Sequence, residues 1–141
     1  MRNLVNGSLY SIRLYTVVHE SSNGDDVGIY LTDTKNDFLK LNRGVTDKQA
    51  YLTAMLSQAS LVNWPSRIFL SADPRRAAEK YGARAYRNLF IEAGCVFQNL
   101  HLVACQSGLS SRVVTGLDDK LVERLLGLPE HEMLLGAIVL G

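Results

Sequence analysis

Excess charge of either sign is almost absent from this chain: 15 Lys and Arg stand against 14 Asp and Glu, a net charge of +1. Nucleic-acid binders usually show a strong basic excess, so a general polyanion-binding surface is excluded and any phosphate site must be local. Long apolar runs are missing too. None approaches the ~18 residues of a membrane span, and the N-terminal Met1-Arg2-Asn3-Leu4-Val5-Asn6-Gly7 lacks the apolar stretch of a secretory signal. The expectation is a cytoplasmic protein with neither a membrane nor a nucleic-acid partner. Cysteine is scarce. Cys95 and Cys105 lie in what reads as one helix, about 15 Å apart at ~1.5 Å per residue, beyond disulfide reach. Both are expected to be buried small hydrophobes in a reducing compartment. His19, His101 and His131 show no metal-ligand spacing, so no zinc site is expected. Gly24 and Gly28 do not form a phosphate-cradling loop.

What remains is one domain's worth of chain, 141 residues with 47% hydrophobic and 21% charged side chains, ordinary for a globular protein. Ile12 to Val18 is rich in β-branched and aromatic residues and predicts a strand. The polar stretch from Glu20 to Asp26 is turn material, and Val27–Leu31 and Phe38–Leu41 continue a meander. Asp47 is placed to cap a helix to about Ser60. Trp64-Pro65 ends it, and Arg67–Leu70 is a short strand. From Ala77 to Ser107, Leu89, Ala93, Val96, Leu100, Val103 and Ala104 recur at three and four, predicting one long central helix stopped by Gly108. Arg112–Thr115 reads as a strand, Asp118 caps a helix to Leu126, and Leu134–Leu140 is the last strand. The order implies an α+β or mixed α/β sandwich.

Three stretches carry a resemblance. The first is Asn6-Gly7-Ser8-Leu9-Tyr10 followed by Leu14-Tyr15-Thr16-Val17-Val18. The second is Lys80-Tyr81-Gly82-Ala83-Arg84-Ala85-Tyr86-Arg87, continuing through Glu92-Ala93-Gly94 to Gln98-Asn99-Leu100. The third is Thr115-Gly116-Leu117-Asp118-Asp119, then Leu126-Gly127-Leu128-Pro129 and Leu140-Gly141. Together they resemble the nitroreductase superfamily, and more narrowly the SagB/McbC-type peptide azoline dehydrogenases of streptolysin- and microcin-type maturation. The central stretch is the specific one. Ser11 departs from the pattern, since the family favours proline there. The family's N-terminal Arg-Ser-x-Arg segment, which grips the flavin phosphate, and its C-terminal tail have no counterpart. The resemblance therefore implies a nitroreductase-like α+β fold, a mixed and mainly antiparallel sheet packed with a long central helix. Residues 1–141 would form a single partial domain, the C-terminal two-thirds of the family's.

The same resemblance implies FMN as cofactor. It puts Lys80 and Tyr81 in the position of a proton-transfer pair, with hydride passing to flavin N5. A lysine base must be partly neutral, which requires burial or neighbouring cations. Arg76, Arg84 and Arg87 fall at helical spacing around Lys80, and no acid stands three or four positions from Lys80, Arg84 or Arg87. That stripe reads either as a functional site or as a basic surface with long-range partners. Thr115 and Gly116 match the family's main-chain contact to the flavin, where glycine allows close approach; a plain strand-to-helix turn is the alternative. Asn6, Gly7 and Ser8 stand where the opposite side of the flavin would be met, or in a disordered terminus. Arg84 joins these as a cofactor-binding candidate. Gln98 and Asn99 are expected to satisfy buried backbone groups, and Glu92 to partner an arginine or act as a cap.

Three functions compete: an azoline-oxidising FMN dehydrogenase subunit, a flavin-free scaffold of the same fold supporting a catalytic partner, and a general FMN nitro or quinone reductase. The expected partners are a peptide substrate and a second chain, identical or different, that supplies the missing flavin-phosphate site. The apolar central helix also needs cover, which predicts an oligomer with its interface along Ala77–Ser107.

Overall fold

The computed structural model describes residues 12–19, 27–33, 38–43, 50, 54, 61 and 64–141, with the backbone alone for Asp33 and 38–43. Among the described residues six strands form one sheet: β1 (Ile12–Val18), β2 (Gly28–Asp33), β3 (Phe38–Arg43), β4 (Ser66–Ala72), β5 (Ser111–Val114) and β6 (Met133–Leu140). Their order across the sheet is β3-β2-β1-β4-β6-β5. Every neighbouring pair is antiparallel. The helices are α1 (Pro74–Tyr81), α2 (Arg84–Gln106) and α3 (Asp119–Leu126). The helix expected from Asp47 to Ser60 lies outside the described residues except at Ala50 and Ala54, both helical.

Strand alternation divides the core between the two faces of the sheet. On one face Ile12, Leu70, Ala72 and Ile138 pack against Leu89, Ala93 and Phe97 of α2. On the other, Tyr15, Val17, Phe69, Leu134, Ala137 and Val139 pack with Val122 and Leu126 of α3 and with Ala54 and Leu61. Because both faces are covered, β4 and β6 read as nearly continuous apolar runs rather than alternating ones. At β6 the register slips. Leu70 opposes Gly136 while Ser71 opposes Leu134, so Leu135 is an extra residue. The bulge explains how Leu134 and Ala137, three apart, share one face.

The long helix expected from Ala77 to Ser107 is two helices. Asp73 caps α1 by accepting the Arg75 amide at 3.0 Å, and Pro74 opens it. The Gly82 amide closes α1 on the Ala78 carbonyl, and Gly82 takes φ 56 and ψ −139, a conformation left to glycine. The apolar periodicity persists on both sides of this turn, which is why the sequence reads as continuous. The cysteines also differ from expectation: Cys95 and Cys105 are exposed. Cys95 lies two residues from the buried Ala93, about 200° around the helix, and so on the opposite side from the sheet.

Gly136 tests this packing. It holds φ +144, and a Cβ there would lie 3.3 Å from both the Phe97 ring and the Val114 carbonyl. Gly136→Ala is expected to lower unfolding free energy by about 1–3 kcal/mol, read from urea denaturation. Stability equal to the parent would contradict the role of the bulge in seating α2.

Candidate functional site

The α1–α2 turn gathers the cationic residues. Lys80 and Arg84 are exposed on either side of Gly82, and Tyr81 is half-buried. The Lys80 ammonium stands 5.1 Å from the centre of the Tyr81 ring, a cation–π contact. Arg76 and Arg87 are also exposed. Because Gly82 breaks the helix, Arg84 and Arg87 do not continue the helical stripe of Arg76 and Lys80; they approach from a second helix. Lys80 is not buried within this chain, so the desolvation that a lysine base requires would have to come from a substrate or another chain.

Arg75 is the exception among these cations. Its guanidinium holds both carboxylate oxygens of Asp73, at 2.8–3.2 Å. That contact, with the Arg75 backbone amide, brings the Asp73 carboxyl down to about 2. Among the described residues no acid lies within ion-pair distance of Arg76, Lys80, Arg84 or Arg87.

Thr115 and Gly116 follow β5 and are both exposed; Leu117 returns to the core and Asp118 caps α3 through the Leu121 amide at 3.0 Å. The Thr115 methyl lies beside Gly136, which itself abuts Phe97 of α2. The Thr115 side chain and the Phe97 ring thus meet the same point of β6. Asn6, Gly7 and Ser8 lie outside the described residues. Gln98 is exposed rather than serving buried backbone, while Asn99 is half-buried and Glu92 is buried.

A second polar cluster was not legible in the sequence. The buried Glu132 accepts from the Arg13 guanidinium, from Ser71 Oγ at 2.8 Å and from the Tyr15 hydroxyl at 3.4 Å. Burial, and then the Glu132 charge, push the Tyr15 phenol up. The preceding residue, His131, turns the other way, its Nε2 3.7 Å from Asp73. Arg13 and Ser71 are direct cross-strand partners, but 58 residues separate them in the chain; the only sequence-level hint was a charged pair, His131-Glu132, directly before an apolar strand. No group of three potential metal ligands occurs among the described residues, and no helix there is long and apolar enough to cross a membrane.

The nitroreductase family model matches residues 6–141. The chain belongs to the nitroreductase family. Members of the family typically bind FMN. Protein MJ1384 of Methanocaldococcus jannaschii, a nitroreductase by name, is 25% identical over 130 residues, covering 92% of this chain and 65% of its own length. The microcin B17-processing protein McbC of Escherichia coli is 40% identical over 56 residues, 40% of this chain and 21% of McbC. Among solved structures, a nitroreductase from Anabaena variabilis superposes with a TM-score of 0.85 at 28% identity, covering 96% of this chain and 28% of that one. A chain of the Escherichia coli microcin synthetase McbBCD complex, with truncated pro-MccB17 bound, superposes at 0.84 and 24% identity, covering 97% of this chain and 53% of its own. The family fold is thus shared throughout, and the chain spans less than two-thirds of each relative.

Asp73 supplies a pH test. Its folded carboxyl is held at about 2, below the ordinary 3.8, so its stabilising contribution is complete above the unfolded value and is lost as pH falls through the folded one. Asp73→Asn keeps a capping side chain but not the charge. The stability gap between parent and variant should be constant near neutrality and shrink between pH 4 and pH 2, measured by urea midpoints. A gap independent of pH would exclude the ionic contribution.

Proposed function

We propose that this chain is a subunit of an FMN-dependent dehydrogenase that oxidises azoline rings in a ribosomally made peptide, with Lys80 and Tyr81 as the proton-transfer pair. The observation that carries the reading is the Lys80–Tyr81 pair itself, displayed at a glycine turn among cations with no described acid within ion-pair distance. The 40% identity to McbC over 56 residues supports it.

The residues fit the cofactor in kind. Thr115 and Gly116 offer an exposed main chain with no side chain at Gly116 to hinder approach, and Arg84 offers an unpaired cation. FMN, when bound, supplies the hydride acceptor. This chain's own work is then to place a substrate carbon near the Lys80 amine, to receive the proton there, and to orient the ring with the Tyr81 hydroxyl.

The exposure of Lys80 and Arg84 in the single chain supports the involvement of a second chain, identical or different. One chain would present Lys80–Tyr81 and the other would hold the flavin, including its phosphate. The exposed Phe90, Ile91, Leu102 and Val103 of α2 are available for that contact.

A flavin-free scaffold is the second reading, favoured by the exposure of Lys80. A general FMN nitro or quinone reductase is the third, favoured by the name of MJ1384. The purified assembly is expected to show flavin absorption bands, and Lys80→Ala to lower azoline oxidation by about 100-fold or more with the bands unchanged. Tyr81→Phe should lose less. A colourless assembly whose azoline oxidation survives Lys80→Ala would sink the proposal, and a yellow one that reduces nitroarenes but leaves azolines intact would move the assignment to the third reading.

A further inference from the structure

One residue of β6 sets the point at which β5 leaves the sheet. The ladder between the two strands ends by pairing Val114 with Ala137. In antiparallel register the next position, Thr115, comes opposite Gly136, and there the pairing stops. Gly136 directly follows the extra residue Leu135 and holds φ +144, a conformation that residues with a side chain rarely adopt. Three groups converge on the space its missing Cβ leaves. The Phe97 ring and the Val114 carbonyl each lie 3.3 Å from that position, and the Thr115 methyl lies 3.5 Å from it.

Beyond Thr115 the chain is fixed again within two residues. The amide of the buried Leu117 donates to the Thr115 carbonyl at 3.1 Å, and the Asp118 amide donates to the Ala54 carbonyl at 2.8 Å. Gly116 therefore spans two anchored points. Its own amide makes no hydrogen bond with a described residue, so a backbone donor is left over at an exposed position. The anchors on either side are internal to one chain and do not depend on what covers the outer side of α2.

We infer that Gly136 is a positioning residue for the flavin contact. The space left by its absent side chain fixes where β5 ends, and through Thr115 it fixes the placement of the Gly116 amide. The inference rests on the FMN reading above. A Cβ at position 136 can be accommodated in two ways. It can push the Phe97 ring, or it can push Val114 and Thr115, which carry the turn with them. Phe97 belongs to the cluster of Leu89, Ala93 and Ile138, and a close-packed core gives little. The turn borders solvent, so the displacement falls on the turn.

The test is FMN titration of the full chain by flavin fluorescence, beside nitrogen–proton correlation spectra of flavin-free samples in which the Gly116 amide is followed. Gly136→Ala should weaken FMN binding by about tenfold, the scale of one lost hydrogen bond. It should also shift the Gly116 resonance while that of Gly94, in open space on α2, stays in place. Phe97→Leu loosens the same core contact without touching the turn; it should melt at a lower temperature and bind FMN as the parent does. That split separates positioning from general loss of stability. Phe97→Leu also gives a Cβ at position 136 room on the α2 side. The double variant should therefore bind FMN more tightly than Gly136→Ala alone and return the Gly116 resonance toward its parent position. Circular dichroism melts establish that each variant folds. If Gly136→Ala does not, Thr115→Ser, which removes the methyl from the same point and keeps the hydroxyl, must still weaken FMN severalfold.

Parent affinity for FMN in Gly136→Ala overturns the inference. So does an equal loss of affinity in Phe97→Leu, and so does a Gly116 resonance that Gly136→Ala leaves unmoved. A parent protein that binds no FMN, with the Gly116 resonance still displaced by Gly136→Ala, would sink the cofactor reading and the flavin half of the inference, and leave Gly136 as the residue that places the turn.

Discussion

A buried carboxylate is tolerated only when its partners arrive together, and Glu132 sets that condition for three parts of the chain at once. Arg13 and Tyr15 come from β1, Ser71 from β4, and Glu132 itself from the turn that begins β6. Removing a charge from water costs several kcal/mol unless it is paired and hydrogen-bonded. A slip of β1 by one residue would put Arg13 on the opposite face of the sheet and leave the carboxylate unpaired. The cluster thus reinforces the register of the three central strands at the end where β4 passes into α1. From the same turn, His131 reaches Asp73, the cap of α1. The foundation of the candidate site is therefore tied to the sheet by adjacent residues facing opposite ways.

The second organising element is α2, which does different work along its length. Its inner side seals one face of the sheet with Leu89, Ala93 and Phe97, and the missing Cβ of Gly136 lets that contact close. Its first turn buries Ala85 while Arg84 and Arg87 stand in solvent. Such an arrangement suits a site completed by something outside the chain, since exposed lysine and exposed apolar side chains both acquire their working environment only when water is displaced.

The candidate site was partly legible. Lys80, Tyr81 and Arg84 were singled out from their neighbours in sequence, and they do cluster, because they are close along the chain. What the sequence could not reveal was the bend at Gly82. A glycine within a periodic apolar run is compatible with a continuous helix, and only the packing of α1 back against α2 selects the turn. The cysteines were misplaced for a related reason. Cysteine is commonly buried, but the sheet claims the opposite side of α2. The Glu132 cluster was illegible because its partners are distant in sequence and none is unusual by itself.

Local chemistry in the sequence determined where elements begin and end. Asp73-Pro74 starts a helix, Asp118 caps another and Gly127 stops it, and β-branched runs mark the strands; each depends on interactions within a few residues. Tertiary structure alone decided which sides are covered, since burial depends on what packs from far along the chain. It alone brought Thr115 beside Gly136 and the Phe97 ring; the pairing of β5 with β6 creates that contact between residues far apart in the chain.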